Sequence, residues 1–300
     1  MIECVANVSE GRDLTVLRAL ADATRPALLD IHADADHHRS VFTIAGRELR
    51  GTQMGARGLA RSVARQLDIA GHEGVHPRLG ALDVVPFIAL GTSVSEHEAA
   101  LEAAESFARW WSTAYDVPVF LYGDADPKRR DLPSARNTAF KSRAPDFGPP
   151  TPHEKLGATA VGVRAPLVAV NCALVTREVD VARRIAGVVR ERNGGLPGVR
   201  ALGFMLDTVD RAQVSMNLVD LQRTGIERAC RTVRVEARKE RTDVLSVELV
   251  GLVPRAELER CSDEFLEWSG LDAASTIEVR VRVGPRWLPG DPVESNPASG

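Results

Sequence analysis

The chain lacks several features that would assign it to a specialised class of protein. Its 300 residues include only four cysteines, widely spaced and without a CxxC pair, so neither a disulfide scaffold nor a zinc knuckle is predicted. Aromatic residues make up 5%, which disfavours a stacking surface for single-stranded nucleic acid. The 38 lysines and arginines nearly balance 41 acidic residues, so no charge excess favours nucleic acid or an anionic membrane as a partner.

Long apolar runs are also missing. No stretch approaches the roughly 20 apolar residues of a membrane-spanning helix. The first residues, MIECVANVSEG, contain neither the basic region nor the apolar run of a signal peptide. We therefore expect a cytoplasmic protein with reduced thiols and no membrane partner. The composition, 44% hydrophobic and 26% charged, is typical of globular chains, and the length predicts about two domains.

Short apolar runs alternate with helical patterns along most of the chain. Each half reads strand, helix, strand, strand, helix, strand, with one further helix and strand, which is the order of ferredoxin-like folds. A single doubly wound sheet is disfavoured because two strands adjoin without a crossover helix in each half. The predicted fold class is therefore α+β, with two ferredoxin-like (βαββαβ) subdomains, mixed or antiparallel sheets and a ligand cleft between them. We place these subdomains at 1–166 and 167–284, followed by a disordered Pro/Gly-rich tail at 285–300.

Several local patterns give sharper predictions. Residues 124–152, rich in Pro, Arg, Asp and Gly, predict a long irregular segment. Ser95 with Glu98 predicts the capping box of a helix over 95–113. The small-residue stretch GATAVG at 157–162 is interpreted as a loop that approaches a ligand through its backbone. Residues 256–269 predict one helix, and 276–283 predict a final strand.

The segment HEGVHPR, residues 72–78, permits two interpretations. HEGVH matches the HExxH motif of zinc peptidases, which needs both histidines on one helix face. However, Gly74 weakens a helix and Pro77 excludes His76 from the α region, so we predict a loop and no metal. A loop histidine fixed by the following proline suits proton transfer at neutral pH, and Arg78 can meet a carboxylate. A loop histidine without a chemical role is the alternative that these residues leave open.

A series of segments covers residues 2–285 in order: ECVANVSEGRD, DHHRSVFTIAG, HEGVHPRLGALDVVPF, VPVFLYG, APDFGP, HEKLGATAVGVRAPLVAVN, AQVSMNLVDL and VELVGLVP. In these segments the chain resembles the formiminotransferase domain of glutamate formiminotransferases, without the cyclodeaminase domain that some members carry. The resemblance implies transfer of a formimino group between N-formimino-L-glutamate and tetrahydrofolate in histidine degradation. It also implies tetrahydrofolate as co-substrate and a homodimer.

The resemblance implies a set of site residues as well. His76, in the HPR motif, is implied as the general acid and base, and we expect Asp36 and Arg78 beside it. Arg39 and Arg164 are candidates for substrate carboxylates, and Asn171 for an amide contact. The folate segment implied by the resemblance consists of Gly148, Pro149, Pro150, Thr151, Pro152, His153, Glu154, Lys155, Leu156 and Gly157.

The chain departs from the usual family sequence at several positions, and residues 137–140 (NTAF) replace the usual GEYE stretch. Ala173 stands where a typical member has Asn, Leu156 where an aromatic residue is common, and His38 where many bacterial members have Asn. Two alternatives therefore stay open. One is a transferase or cycloligase-like folate enzyme that uses 5-formyltetrahydrofolate, and the other is a non-catalytic folate-binding protein.

Overall fold

The computed structural model describes residues 1–72, 78–206 and 210–285. These residues form two compact units, Met1–Arg164 and Ala165–Arg282. Each unit contains one β-sheet, and the fold class is α+β, as predicted. The exact predicted boundary after residue 166 stays a prediction, and all of the predicted tail except Pro285 lies outside the described residues.

The first unit contains a six-stranded mixed sheet. Its strands run in the spatial order β2-β3-β1-β4-β6-β5, in which β1, β2, β3 and β4 pair antiparallel while β6 is parallel to β4 and β5. The strands are β1 Ile2–Val8, β2 Leu28–Asp34, β3 Arg39–Ala45, β4 Leu82–Ala89, β5 Val119–Gly123 and β6 Thr159–Val163. The helices are α1 Leu14–Thr24, α2 Leu49–Gln66, α3 Val94–Tyr115 and α4 Leu132–Thr138.

The core of this unit follows from alternation along its strands. Successive side chains of a strand point to opposite faces, and one face of the sheet packs on α1, α2 and α3. Fully buried members of this cluster include Cys4, Val8, Phe42, Leu59 and Trp111. The same alternation turns polar side chains of β1 and β3 to the opposite face, where α4 covers only the part of the sheet around Val84, Tyr122 and Ala160.

The start of α3 differs from the prediction by two residues. Ser93 rather than Ser95 is the N-cap, and its hydroxyl accepts a hydrogen bond from the Glu96 backbone N–H. The Ser93 hydroxyl also donates to the Glu96 carboxylate at 3.0 Å, and that carboxylate pairs with the amino group of Met1. Two overlapping S-x-x-E spacings occur here, and the contact with Met1 favours the earlier one.

The second unit contains a four-stranded antiparallel sheet. Its spatial order is β10-β7-β9-β8. The strands are β7 Val168–Leu174, β8 Val199–Leu206, β9 Arg211–Leu218 and β10 Val244–Val250. The helices are α5 Val179–Val189, α6 Ile226–Lys239, α7 Arg255–Leu258, α8 Asp263–Ser269 and α9 Ile277–Val283. The apolar faces of α5 and α6 pack on one face of the sheet.

The strand predicted at 276–283 is wrong, because these residues form α9. The alternating Ile and Val residues have a high β propensity, but propensity yields to tertiary context. Two hydrogen bonds fix the turn that leads into the helix. Within the turn, the Thr276 hydroxyl donates to the Ala273 carbonyl at 2.7 Å, and from a distant segment the Val253 carbonyl accepts from the Ile277 N–H at 3.1 Å.

Three further local predictions need correction. The helix predicted at 256–269 is divided into α7 and α8, because the Ser262 side chain caps a new helix by accepting from the Phe265 N–H. The segment at 124–152 contains α4, which begins at an Asp131 cap. Most of the supposed loop at 157–162 belongs to β6, a fully buried strand between β4 and β5.

No helix in the described parts of the chain has the length and apolar character to cross a membrane.

Candidate functional site

The turn between β2 and β3 carries the predicted site residue Asp36 together with Asp34, His37 and His38. Asp34 ends β2, and its carboxylate accepts from the His37 backbone N–H at 2.8 Å and lies 2.7 Å from His37 Nδ1. Burial alone would raise the pKa of Asp34, but the hydrogen bonds and charge of His37 outweigh it and hold that pKa below its ordinary value. Asp36 lies half-buried in the same turn, and His38 adopts a left-handed backbone with φ of 47°.

Glu10, in the turn after β1, holds His38 from the other side. One carboxylate oxygen, Oε1, accepts from the backbone N–H groups of Arg12 at 2.7 Å and Asp13 at 3.0 Å, and lies 3.2 Å from His38 Nε2. Burial pushes the pKa of Glu10 upward, but these N–H groups and the charge of His38 lower it overall. The carboxylate is therefore ionised at neutral pH and orients the His38 imidazole.

His38 and His72 form a stacked imidazole pair. Their ring centroids are 4.0 Å apart and the rings are inclined by 19°. Arg78 donates to His72 Nδ1 and, at 3.2 Å, to the His72 carbonyl. Burial and the positive charges of His38 and Arg78 lower the pKa of His72. His72 is thus a neutral imidazole at neutral pH, with Nδ1 as acceptor, and it orients the predicted catalytic residue Arg78.

Asp83 is a fully buried carboxylate that joins three segments of the first unit. Its Oδ2 accepts from Arg39 Nη1 at 2.7 Å and from Arg136 Nη2, while its Oδ1 accepts from the Leu79 N–H at 2.6 Å. Burial would raise the pKa of Asp83, but the two guanidinium groups and the Leu79 N–H lower it. The carboxylate therefore stays charged and ties β3, α4 and the start of β4 together.

Arg39 is predicted to bind a substrate carboxylate, and the structure gives its guanidinium several protein partners. Besides the contact with Asp83, Nε and Nη2 donate to Asn7 Oδ1 at 3.0 and 2.7 Å. All three guanidinium nitrogens thus contact protein acceptors. This geometry fixes the position of Arg39 at the point where β1 ends and β3 begins, and its contact with substrate stays a prediction.

The predicted folate segment lies directly beside Arg78. Its last residues pair through the backbone with the chain that follows Arg78: the Leu156 carbonyl accepts from the Ala81 N–H at 3.0 Å, and Gly80 forms a bridge with Gly157. Gly157 has φ of +68°, and a Cβ there would overlap the Leu79 carbonyl. The close approach of these two backbones therefore requires glycine.

Within the folate segment, His153 stabilises a tight turn. Its Nδ1 accepts from the N–H groups of Lys155 and Leu156, both at 3.1 Å, and its backbone pairs with Gly157. The Leu156 side chain is 4% exposed and belongs to the core of the unit, so the role of that side chain is packing. Thr151, Glu154 and Lys155 are exposed and available for contact.

Arg164 follows β6 and interacts with the buried hydroxyl of Tyr122. Burial raises the pKa of Tyr122 to about 12, against the opposing effect of the Arg164 guanidinium. Strands β4 and β6 are parallel and begin side by side. Arg164 follows the end of β6, so it lies roughly 16 Å along the sheet from Asp83, which is at the start of β4. The structure therefore does not bring the backbone of Arg164 to the turn that carries Asp36.

Asn171 lies on β7 in the second unit. Its side chain is 5% exposed, and its Nδ2 donates to Glu248 Oε2 on β10 at 3.1 Å. A buried amide needs a hydrogen-bond partner, and here a neighbouring strand supplies it. Contact between Asn171 and substrate stays a prediction.

The structure thus groups Asp36, Arg39, Arg78 and the end of the folate segment around the start of β4. His76, the predicted acid and base, lies outside the described residues, as do most residues of the HEGVH motif. Sequence reasoning missed Glu10, Asp83 and Arg136, and it considered His72 only as a ligand in the rejected zinc motif. For Asp83 a signal existed, since a lone carboxylate at the start of an apolar strand requires a buried partner.

In the described ranges, no group of three or more His, Cys, Asp or Glu side chains is arranged to hold a metal ion. The motif that suggested zinc falls mostly outside those ranges. The prediction that the protein needs no metal therefore stays a prediction.

Comparison with known proteins gives matches over both units. A family model described as the N-terminal subdomain of the formiminotransferase domain matches residues 1–164, and one described as the formiminotransferase domain matches 169–283. A glutamate formimidoyltransferase of Streptococcus pyogenes serotype M1 is 33% identical, over 91% of this chain and 95% of the relative. One of Thermoplasma acidophilum is also 33% identical, over 94% and 97%. A formimidoyltransferase-cyclodeaminase of Sus scrofa is 36% identical over 85% of this chain and 50% of the relative.

Proposed function

Because the chain belongs to the formiminotransferase family, we propose that it transfers a formimino group between N-formimino-L-glutamate and tetrahydrofolate in histidine degradation. The observation that carries this proposal is the match along almost the whole length of two glutamate formimidoyltransferases. The protein is then a folate-dependent transferase, and tetrahydrofolate is its co-substrate.

The chemistry of the reaction defines what the side chains must do. An amine attacks the trigonal carbon of an amidine, and the tetrahedral species collapses as the other amine leaves. One proton leaves the incoming nitrogen and one is delivered to the departing nitrogen. A single imidazole can perform both transfers, because it releases in the second step the proton that it takes in the first. We assign this role to His76, which is followed by Pro77 and Arg78.

The charged groups around the start of β4 suit substrates that carry carboxylates and an amidinium. Arg78 is oriented by its contact with His72, and its guanidinium suits a carboxylate of the glutamate part. Asp36 carries the charge that steadies the amidinium or orients His76. Arg39 and Arg164 are further candidates for carboxylates, although Arg39 is already engaged by Asn7 and Asp83.

The pairing of the folate segment with residues 79–81 supports its proposed role. The backbone hydrogen bond from Ala81 to Leu156 holds the segment next to Arg78. A ligand on its exposed residues would then lie close to Arg78. Thr151, Glu154 and Lys155 are the side chains that we assign to folate contact.

The strand orders support a finer description of the fold. In each unit a β-α-β-β-α-β series gives four strands in which the first and third are central and the second and fourth flank them. We assign both series to the ferredoxin-like arrangement, extended by β5 and β6 in the first unit. A homodimer and a cytoplasmic location belong to the same proposal, and the ligand cleft stays a prediction.

The direct test mixes the purified protein with tetrahydrofolate and N-formimino-L-glutamate and follows released glutamate. We expect turnover that depends on both substrates. No release with this pair, together with turnover of 5-formyltetrahydrofolate, would replace the proposal with the formyl alternative. Binding of tetrahydrofolate without any turnover would favour a non-catalytic folate-binding protein.

The substitution His76→Ala tests the assignment of the acid and base. We expect turnover to fall by about 10²–10⁴-fold, because one group moves both protons, while tetrahydrofolate still binds. His97→Ala is the matched control, since the His97 side chain is 43% exposed and its contact with the Asp124 carboxylate is long, at 3.7 Å. Turnover of the His76→Ala protein close to that of the control would refute the assignment.

A further inference from the structure

Arg136 lies on the face of the first sheet opposite α1, α2 and α3, beside the start of β4. Its helix, α4, is held there by Ala135, whose fully buried side chain packs in one cluster with Val84. Arg136 Nη2 donates to Oδ2 of Asp83, the same oxygen that accepts from Arg39 Nη1 at 2.7 Å. One buried carboxylate oxygen therefore places the two guanidinium groups side by side.

The two guanidinium groups differ in their remaining contacts. Arg39 uses all three of its nitrogens on Asp83 and Asn7. For Arg136, the bond to Asp83 is the one side-chain hydrogen bond to the described residues, although a guanidinium carries five N–H donors. Its Nε is closed to solvent but Nη1 is not, and the side chain is 17% exposed. Nη1 of Arg136 is therefore a charged donor that the protein holds in place and leaves open to a ligand.

The charges around Asp83 favour an anionic ligand. Burial lowers the pKa of Arg39, and the positive charges of Arg136 and Arg78 add to that effect while Asp83 opposes it. The charge of Asp83 also reaches Arg78, where it opposes the lowering of that pKa by burial. Asp83 offsets the charge of one of these three guanidinium groups. A negatively charged group on the open side of Arg136 would reduce the repulsion that remains between them.

The position of this donor selects one carboxylate of the proposed substrates. Tetrahydrofolate carries its carboxylates on a glutamyl tail, which an aminobenzoyl group separates from the ring nitrogens. N-formimino-L-glutamate instead carries both carboxylates within a few bonds of the reacting amidine. The α-carboxylate is the nearer of the two, and it suits Arg78, which lies within about 7 Å of His76 along the backbone. Arg136 comes from a different element and approaches the same buried carboxylate, so it can hold the γ-carboxylate at the same time.

We propose that Arg136 donates a hydrogen bond from Nη1 to the γ-carboxylate of N-formimino-L-glutamate and so makes the enzyme select this substrate over its γ-amide. Asp83 fixes the guanidinium through Nη2, so little side-chain entropy is lost when the substrate binds. The inference rests on the proposed function and names a residue that determines its specificity. Because the γ-carboxylate does not react, loss of the contact changes the choice of substrate and leaves tetrahydrofolate binding unchanged.

Two amide analogues test this contact: N-formimino-L-glutamine lacks the γ-carboxylate, and N-formimino-L-isoglutamine lacks the α-carboxylate. We expect the wild-type protein to prefer N-formimino-L-glutamate over the γ-amide by about 10- to 100-fold in kcat/KM, the effect of one hydrogen bond between charged groups. In Arg136→Gln this preference should fall to within about threefold, because the charge that distinguishes the two substrates is gone. The preference over the α-amide and the KM for tetrahydrofolate should stay within about twofold of wild type, since neither depends on Arg136.

Arg136→Lys tests the same contact while keeping a positive charge beside Asp83, so the buried carboxylate retains its counter-charge. We expect the preference over the γ-amide to fall at least about fivefold, since a single ammonium held by Asp83 lacks the second arm of a guanidinium. Arg183→Gln is the matched control, because it removes an exposed helical arginine whose Nη1 donates to Asp180 at 2.9 Å. The control should leave both preferences unchanged.

A wild-type preference over the γ-amide in either Arg136 variant would overturn the proposal. So would an equal fall in kcat/KM for N-formimino-L-glutamate and both amides, which indicates a structural role, or a wild-type protein that does not discriminate against the γ-amide. If the wild-type protein transfers no formimino group, the proposed function fails and this inference fails with it. If it does transfer the group, the ratios between substrates judge Arg136 alone.

Discussion

Among single residues, Asp83 connects three of the segments that form the candidate site. A fully buried carboxylate is costly unless cations and hydrogen-bond donors surround it. Arg39, Arg136 and the Leu79 N–H supply that environment, and in return Asp83 fixes the start of β3, one residue of α4 and the chain after Arg78. The positions of Arg39 and Arg78 therefore depend on a carboxylate that is closed to solvent.

Replacing this carboxylate tests its contribution. We expect Asp83→Asn to lower the free energy of unfolding by about 3–5 kcal/mol, because Arg39 and Arg136 then lack a buried counter-charge. Urea denaturation monitored by circular dichroism measures the change. Glu105→Gln is the control, since the ion pair of Glu105 with Arg109 is exposed and should contribute under about 1 kcal/mol. Equal losses in the two variants would contradict this account of Asp83.

At the scale of elements, the position of the folate segment depends on backbone pairing between residues 156–158 and 79–81. The pairing is possible because Gly80 and Gly157 carry no side chain: a Cβ on either would overlap a carbonyl oxygen of the opposite segment. The segment is therefore positioned by hydrogen bonds between backbones, with Leu156 fixing it to the core.

The substitution Gly157→Ala should disturb this pairing. An alanine there has an unfavourable φ and overlaps the Leu79 carbonyl, so we expect a loss of more than about 2 kcal/mol in the free energy of unfolding and a lower kcat/KM. Gly194→Ala separates the two causes, because Gly194 also has a positive φ but no atom lies within 4 Å of its Cβ position. That control should lose only about 1 kcal/mol. A Gly157→Ala protein as stable as the control would show that the close approach is dispensable.

At the scale of the whole molecule, each unit has its own sheet and its own apolar core. The core of the second unit is formed by β7, β8, β9 and β10 with α5, α6 and the short helices that follow. Its 118 residues, Ala165–Arg282, fall within the size range of independently folding domains. The first and third strands of this series, β7 and β9, are central in its sheet.

A fragment of residues 165–285 should therefore fold on its own. We expect a cooperative thermal transition and dispersed amide resonances, because the sheet and its covering helices are all present. A fragment of residues 175–285 is the control, since it lacks the central strand β7 and with it two ladders of the sheet. Non-cooperative melting of the longer fragment would contradict the view that this unit folds independently.

The sequence predicted those helices and strands that are determined by the pattern of apolar residues within them. Strands such as β3 and β8 and helices such as α5 bury regular apolar faces, so their existence follows from periodicity alone. The same rule failed for α9, where alternating Ile and Val indicate a strand but Val253 and Ala273 fix a helical turn. It failed for β6 because Gly and Ala in a strand between two others give no periodic signal.

For the site, the sequence supplied the residue types and the resemblance to a family. Together these indicated the chemistry, because a histidine beside Pro and Arg suits proton transfer, and the arginines suit carboxylated substrates. Acidic groups were predicted beside them. It could not supply the buried partners. The pairing of Asp83 with Arg136 joins residues 53 positions apart, and that of Asn171 with Glu248 joins residues 77 apart. Such contacts depend on strand order and register, which no local pattern encodes.

The sequence by itself therefore determined the α+β class, the family and the residues suited to proton transfer and carboxylate binding, because these depend on composition and short motifs. Only the tertiary structure decided which of those side chains are already engaged, as Arg39 is by Asn7 and Asp83. It also decided which buried donor lacks a partner, as Gln213 does among the described residues. Burial and hydrogen-bond satisfaction are properties of neighbours in space, and those neighbours come from distant parts of the chain.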